Sequence, residues 1–265
     1  MAVTDKGHIN YNGDIFVNGI QVLGLGYIEG FYPWYVTTTA VAIKLGSCEA
    51  NGKAYYLSSD TSHAMTSLTT SFDHHYIYID DSASTPPNPT FIDTTTQPGY
   101  SNTKRGWYNG NDRCVGSVHS LDGSAVICPF STPSIGGPYG GKNVIVRVGT
   151  ASISFIPALA GAQNPTGGWD TPNLHESDWA VPANAVRIYL SLYNTDSGAS
   201  VYLGANTDEW TPATTSRGQL QSNNVDISTV EGWITLGTSK KIKISGADFN
   251  DNNLACYCKG YEYTR

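Results

Sequence analysis

Charge is what this 265-residue sequence has least of. Only 14% of its residues are Asp, Glu, Lys or Arg, and the 15 Lys and Arg never gather into a cluster. A nucleic-acid surface needs a basic stripe facing phosphates, so this composition, with a net charge of −7, speaks against DNA or RNA as a partner. Long apolar runs are missing as well. The opening Met1-Ala2-Val3-Thr4-Asp5-Lys6-Gly7-His8 has no apolar stretch of signal-peptide length, and nothing elsewhere approaches a membrane span, so the expectation is a soluble protein made in the cytosol with no membrane insertion. There is no fixed-period repeat, heptad or Gly-X-Y tract, which excludes a coiled-coil or triple-helical shaft. No Gly-x-Ser-x-Gly elbow and no motif-flanked Ser, His and Asp set is present, which removes the usual signatures of a hydrolase.

What is abundant is Gly, Thr, Ser, Asn and Tyr, residues of strands and tight turns. The expected fold is all-β. Asn18-Gly19 between Asp14-Ile15-Phe16-Val17 and Ile20-Gln21-Val22-Leu23 is the strongest hairpin signal, preceded by a second Asn-Gly at Asn12-Gly13. Residues 36–47 and 53–59 read as a strand pair around Asn51-Gly52, and Ser58 to Thr70 as a polar loop with one helical turn. Arg113 to Val118 and Ala125 to Cys128 read as strands joined at Asp122-Gly123. Further strands are expected at Val144–Val148, Ile153–Ile156, Ala185–Tyr193 turning at Asp196-Ser197-Gly198 into Ala199–Leu203, Gly232–Leu236, Lys241–Ser245 and Leu254–Tyr263. The Gly/Pro-rich run from Ser131 to Gly141 suggests a linker, dividing the chain into β-domains at 1–135 and 136–265, each of sandwich or jelly-roll type.

Five cysteines, Cys48, Cys114, Cys128, Cys256 and Cys258, leave at least one thiol outside any intrachain bridge. Cys114 and Cys128 sit about three positions out of register across the Asp-Gly turn, and buried reduced thiols are the plainer reading. The run Gly24-Leu25-Gly26-Tyr27-Ile28-Glu29-Gly30 has the wrong glycine spacing for a phosphate loop, and Pro33 follows it with no amphipathic helix. Asp73-His74-His75 with Asp80-Asp81 offers metal-ligand chemistry, but strand alternation puts His74 with Tyr76, Tyr78 and Asp80 on one face and His75 with Ile77, Ile79 and Asp81 on the other. Asp208-Glu209 beside Trp210 could line a glycosidase cleft, yet adjacent acids in a Thr-rich stretch are ordinarily solvated. No catalytic residue, metal site or cofactor is therefore assigned. The aromatic side chains are the better lead, since Tyr and Trp pair an apolar face with a polar tip and suit interfaces or sugar stacking. Trp34, Trp107, Trp169, Trp179 and Trp210 fall in or beside expected turns; Trp107, Trp169, Trp179 and Trp210 are the interface candidates, and the 157–182 loop carrying two of them is expected to pack against a partner.

The segment from Phe72 to Phe130 carries a resemblance. Its aromatic strand Tyr76 to Asp80, the Pro-rich loop, Pro98, Tyr100, Lys104, Arg105, then Arg113, Val115, Gly116, Ser117, Pro129 and Phe130 resemble a module of tail-fibre-type virion proteins of bacteriophages and prophages. Gly30, Thr37 to Ile43, Gly46 and Leu57-Ser58-Ser59 fall in the same pattern, so the resemblance spans roughly residues 25–135. It implies a non-enzymatic virion structural protein, a tail or neck fibre component self-associated as a homotrimer or larger ring, docking on other virion proteins or touching a host-surface glycan or protein. The short chain without a shaft keeps a capsid-decorating or vertex protein open, and the aromatic supply keeps a carbohydrate-binding adhesin open.

Overall fold

The structure is a computed structural model that describes residues 24–71, 73–121, 123–134, 181–194, 228–238, 240 and 254–265, together with several short strands outside these ranges. Three short strands come first, β1 (His8–Ile9), β2 (Ile15–Val17) and β3 (Ile20–Val22), paired in that order. Next come β4 (Ile28–Glu29), β5 (Pro33–Thr37), β6 (Ala40–Ile43), β7 (Gly46–Ala50), β8 (Lys53–Leu57) and β9 (Thr61–Ala64), which split into sheets ordered β4-β7-β8 and β5-β6-β9. The central sheet is built from β10 (His74–Ile79), β11 (Phe91–Thr94), β12 (Gly99–Ser101), β13 (Gly106–Asn109), β14 (Asp112–Leu121) and β15 (Ser124–Ile127), in the order β11-β10-β14-β13-β12 with β15 on β14. The remaining strands are β16 (Phe130–Ser134), β17 (Lys142–Arg147), β18 (Ile153–Ser154), β19 (Trp169–Asp170), β20 (Ala185–Asn194), β21 (Val201–Ala205), β22 (Leu220–Gln221), β23 (Ser228–Thr235), β24 (Ile242–Gly246) and β25 (Leu254–Thr264). They form one sheet ordered β16-β17-β25-β20-β23, with β18 on β25, and another ordered β19-β24-β21-β22.

The protein is all-β: the described residues contain no helix, and every strand pairing is antiparallel. Local turn chemistry explains the tightest connections. Val17 faces Ile20 across Asn18-Gly19, as a two-residue hairpin requires. Asn51 and Gly52 both take positive φ, 51° and 79°, so the β7–β8 turn matches the right-handed twist of its strands. Leu121 faces Ser124 across Asp122-Gly123.

Three expectations need correction. Residues 36–47 are not one strand: β6 and β7 lie in different sheets, and the chain bends at Lys44-Leu45 between them. Ser58 to Thr70 holds no helical turn; it contains β9, whose Thr61–Ala64 backbone closes the free side of β6. β20 does not form a hairpin with the next strand. It pairs with β25 on one side and β23 on the other, while β21 joins β24 and β22 in a separate sheet. Ten-residue β20 matches eleven-residue β25 along almost its whole length, a longer ladder than five-residue β21 could supply.

The core forms around β10, all six residues of which are buried. Its pleat divides them as alternation requires: Ile77 and Ile79 join the large cluster with Ile28, Phe31, Val41 and Val115, whereas Tyr76 and Tyr78 pack with Cys114 on the other side. The large cluster also contains Val181, Ile188, Leu190, Ile234, Cys258, Tyr261 and Tyr263, so residues from both sides of position 136 share one apolar interior. Across the 131–141 run itself, β16 pairs with β17. Gly116 lies where this packing is tightest: a Cβ there would stand 2.5 Å from Pro33 Cδ and 3.1 Å from the Tyr263 hydroxyl.

Candidate functional site

The residues with chemical potential gather where the connection from β9 to β10 crosses the end of the central sheet. Asp93 of β11 has a side chain with no exposed surface. It accepts hydrogen bonds from the Thr66 N–H at 3.0 Å, the Ser67 N–H at 2.6 Å and the Thr66 hydroxyl at 3.1 Å, and pairs with His63 Nε2 at 3.0 Å. Burial pushes this carboxyl up, but the bonds from His63, Ser67 and Thr66 outweigh that and hold it well below the usual carboxylate range. One residue further along, the Ser67 hydroxyl lies 2.9 Å from His75 Nδ1. His75 Nε2 lies 3.1 Å from the Ser120 hydroxyl, which donates to the Ser71 carbonyl at 2.5 Å. Because the only Ser120 hydroxyl proton goes to that carbonyl, the network assigns Nε2–H to His75 and leaves Nδ1 to accept from Ser67.

A serine hydroxyl bonded to an imidazole is the geometry of an activated nucleophile. Here the surroundings oppose that use. The N–H groups of Thr66 and Ser67, which would have to stabilise an oxyanion, are already bonded to the Asp93 carboxylate, and its negative charge would repel one. The arrangement works as a clamp, pinning the β9–β10 connection to β10, β11 and β14.

The sequence constellation Asp73-His74-His75 with Asp80-Asp81 is dispersed. His74 packs edge-on against His119, ring centroids 4.6 Å apart, and against Tyr261 at 5.7 Å, on the face opposite His75. Asp73 accepts from the Thr69 hydroxyl at 2.6 Å. Asp80 caps the following turn through the Ser82 and Ala83 N–H groups at 2.9 and 3.0 Å. Asp81 pairs with Lys53 at 2.8 Å. Among the described residues no three of His, Cys, Asp and Glu converge on a point where one ion could sit. Burial pushes the Cys48 thiol up to about 11 and Cys114 to about 12, so both are protonated and unreactive at neutral pH. The Cys128 N–H bonds the His119 carbonyl, which puts Cys128 five residues along the strand from Cys114 and excludes a bridge between them.

Of the interface candidates, Trp107 on β13 is half-buried; its indole N–H donates to Thr264 Oγ1 at 2.9 Å, and its ring meets Tyr100 of β12 edge-on at 5.5 Å. Trp169 lies in β19, paired with Ser245, and its side chain lies outside the described residues, as do Trp179, Trp210 and most of the 157–182 loop. Trp34 is not in a turn. It lies inside β5, where it and Val36 face outward, 42% and 51% exposed, while Lys44 sits over its ring at 5.6 Å. Leu25, Leu45 and Tyr100, like Val36, are more than half exposed. Alternation along Pro33-Trp34-Tyr35-Val36 was the signal for the outward pair. The Asp93 clamp had none, because its members come from four separate stretches of chain. No protein-family model matches this chain, and no curated protein matches it.

The two buried groups of the clamp give the fold a pH dependence. Burial lowers the His75 imidazole below its ordinary 6.5. Its contribution is complete above about pH 6.5 and is lost as pH falls toward its folded value, because the charged form must then be buried. Asp93 is also depressed, so its contribution is present above about pH 4 and is lost below that as pH falls through its folded value. The expected result is a urea midpoint that declines below pH 6.5, with a second, steeper loss below pH 4. In His75→Gln the first decline shrinks, and in Asp93→Asn the second does; unchanged profiles in both variants would show that these groups do not set the dependence.

Proposed function

We propose that this chain is a non-enzymatic structural component of a bacteriophage particle, a tail or neck fibre element that self-associates as a trimer or larger ring and docks through its strand faces. The observation that carries the reading is the division of labour among side chains. Among the described residues, the Asp93 and His75 network and the Glu49–Arg113 pair are consumed in framework bonds, whereas the large side chains left exposed on strands are Trp34, Val36 and Tyr100. Large apolar groups held on rigid elements cost little entropy to dock, which suits an assembly surface. The positions that carry the family resemblance serve the same framework: Tyr76 to Ile79 form the buried central strand, Arg113 the buried ion pair and Gly116 the tight contact with Pro33. A capsid-decorating or vertex position accommodates the same features. The second reading, a glycan-binding adhesin, draws on Tyr100, which is 54% exposed and meets Trp107 edge-on.

Light scattering on the purified chain, followed by a map of particles from cells producing it, tests the proposal. The expected result is a mass that is a multiple of 28.5 kDa and density for the chain at a symmetric position on the particle. In Trp34→Ala and Tyr100→Ala the fold is kept and association weakens, with losses on the order of 2 kcal/mol at a hot spot. A monomer that is absent from particles and that binds an immobilised glycan through Tyr100 would replace this reading with the adhesin.

A further inference from the structure

At the end of β25, Arg265 reaches beneath the turn that joins β4 to β5. It is 2% exposed, and its Nη1 donates to the Gly30 carbonyl. The other edge of the guanidinium, Nε with Nη2, makes no hydrogen bond to any of the described residues although both atoms are buried. These two N–H groups point the same way and are the edge that grips a carboxylate or phosphate bidentately. The neighbouring acids are committed elsewhere. Glu49 accepts from Arg113 and from the N–H groups of Gly26 and Gly52, and Glu29 accepts from the Tyr27 hydroxyl. Arg113 is close enough to act on Arg265 as a like charge, and the Glu49 carboxylate is paired with Arg113. Water could satisfy the N–H groups of Arg265 but would leave its charge without a counter-ion, and a guanidinium does not escape by losing its proton.

We propose that the Nε–Nη2 edge of Arg265 binds a small oxyanion of the carboxylate or phosphate class beneath the Gly30 turn. Leu45, whose backbone packs against Gly30, is 55% exposed, so the Gly30 turn itself lies close to solvent. Bound there, the ion ties the end of β25 to the β4–β5 turn. The site is independent of any role on a particle.

Thermal melts of the full chain at pH 7 and constant ionic strength test it, replacing chloride stepwise by acetate in one series and by inorganic phosphate in another. Once the site begins to fill, each tenfold rise in oxyanion should raise the melting temperature by about 3–5 °C. Arg265→Met removes the donors and the charge, and its melting temperature should follow only the general salt effect. Arg265→Lys keeps the charge without the fork, and its shift should be smaller than the parent's. A rise with acetate alone or with phosphate alone identifies which oxyanion fits. Equal shifts in parent and Arg265→Met, or no shift in either, overturn the proposal. Should Arg265→Met not fold, equilibrium dialysis of the parent with labelled phosphate and labelled acetate decides: saturable binding of one ion per chain supports the site, and no saturable binding of either overturns it.

Discussion

Glu49→Gln should be among the most damaging single substitutions in this protein, lowering stability by about 3–5 kcal/mol in urea unfolding at pH 7. Arg113 has no exposed surface and Glu49 is 2% exposed. The guanidinium threads between three backbone carbonyls, reaching Gly26 O at 2.9 Å, Tyr27 O at 3.3 Å and Glu49 O at 2.5 Å, and meets Glu49 Oε2 at 3.4 Å. Glu49 in turn receives the Gly26 N–H at 2.9 Å and the Gly52 N–H at 2.7 Å. Removing the carboxylate charge leaves Arg113 buried beside Arg265 with no counter-charge. Arg113→Met should cost at least as much, because it also strips those carbonyls of their donor. The double variant should lose less than the two single losses added together, since each single change strands the partner it leaves behind. A loss below about 1 kcal/mol for Glu49→Gln would mean that water reaches the pair and that it is not a buried ion pair.

Gly30→Ala should be comparably severe, with a loss of more than about 3 kcal/mol, because strain and collision act together at one atom. Gly30 has φ of +68°, where an L residue already pays about 1–2 kcal/mol. A Cβ there would stand 1.9 Å from the Leu45 carbonyl oxygen and 2.8 Å from Gly46 Cα, both backbone atoms that no rotamer change can move aside. The two glycines let β4 and the β6–β7 bend touch back to back, and the Gly30 carbonyl is the acceptor for Arg265. Gly52→Ala is the matched control: its φ of +79° is as unfavourable to a side chain, but no atom lies within 4 Å of the Cβ position. The difference in urea midpoint between the two variants measures the collision alone. Equal midpoints would show that the β6–β7 bend yields and that the close approach is not required.

The same contrast between local and distant causes separates what the sequence determined from what the tertiary structure decided. A two-residue turn sets the register of its own hairpin, so Asn18-Gly19 and Asn51-Gly52 were legible from four or five neighbouring residues, and the alternation of His74 to Ile79 sorted that strand's two faces correctly. The scarcity of helical periodicity determined the all-β class in the same way. The partners of a strand are a different matter. β20 pairs with β23 and β25 rather than with β21 because ladder length and apolar fit across the whole sheet outweigh the proximity of the next strand in sequence. The clamp around Asp93 joins residues 63, 66, 67 and 93, with His75 and Ser120 bonded alongside, and Arg113 finds its acceptors 64 to 87 positions away. Side chains of this kind carry no local pattern, since hydrogen bonds and charge pairs form only after packing has brought distant backbone within about 3 Å. The turns belonged to the sequence, and the buried polar framework to the fold.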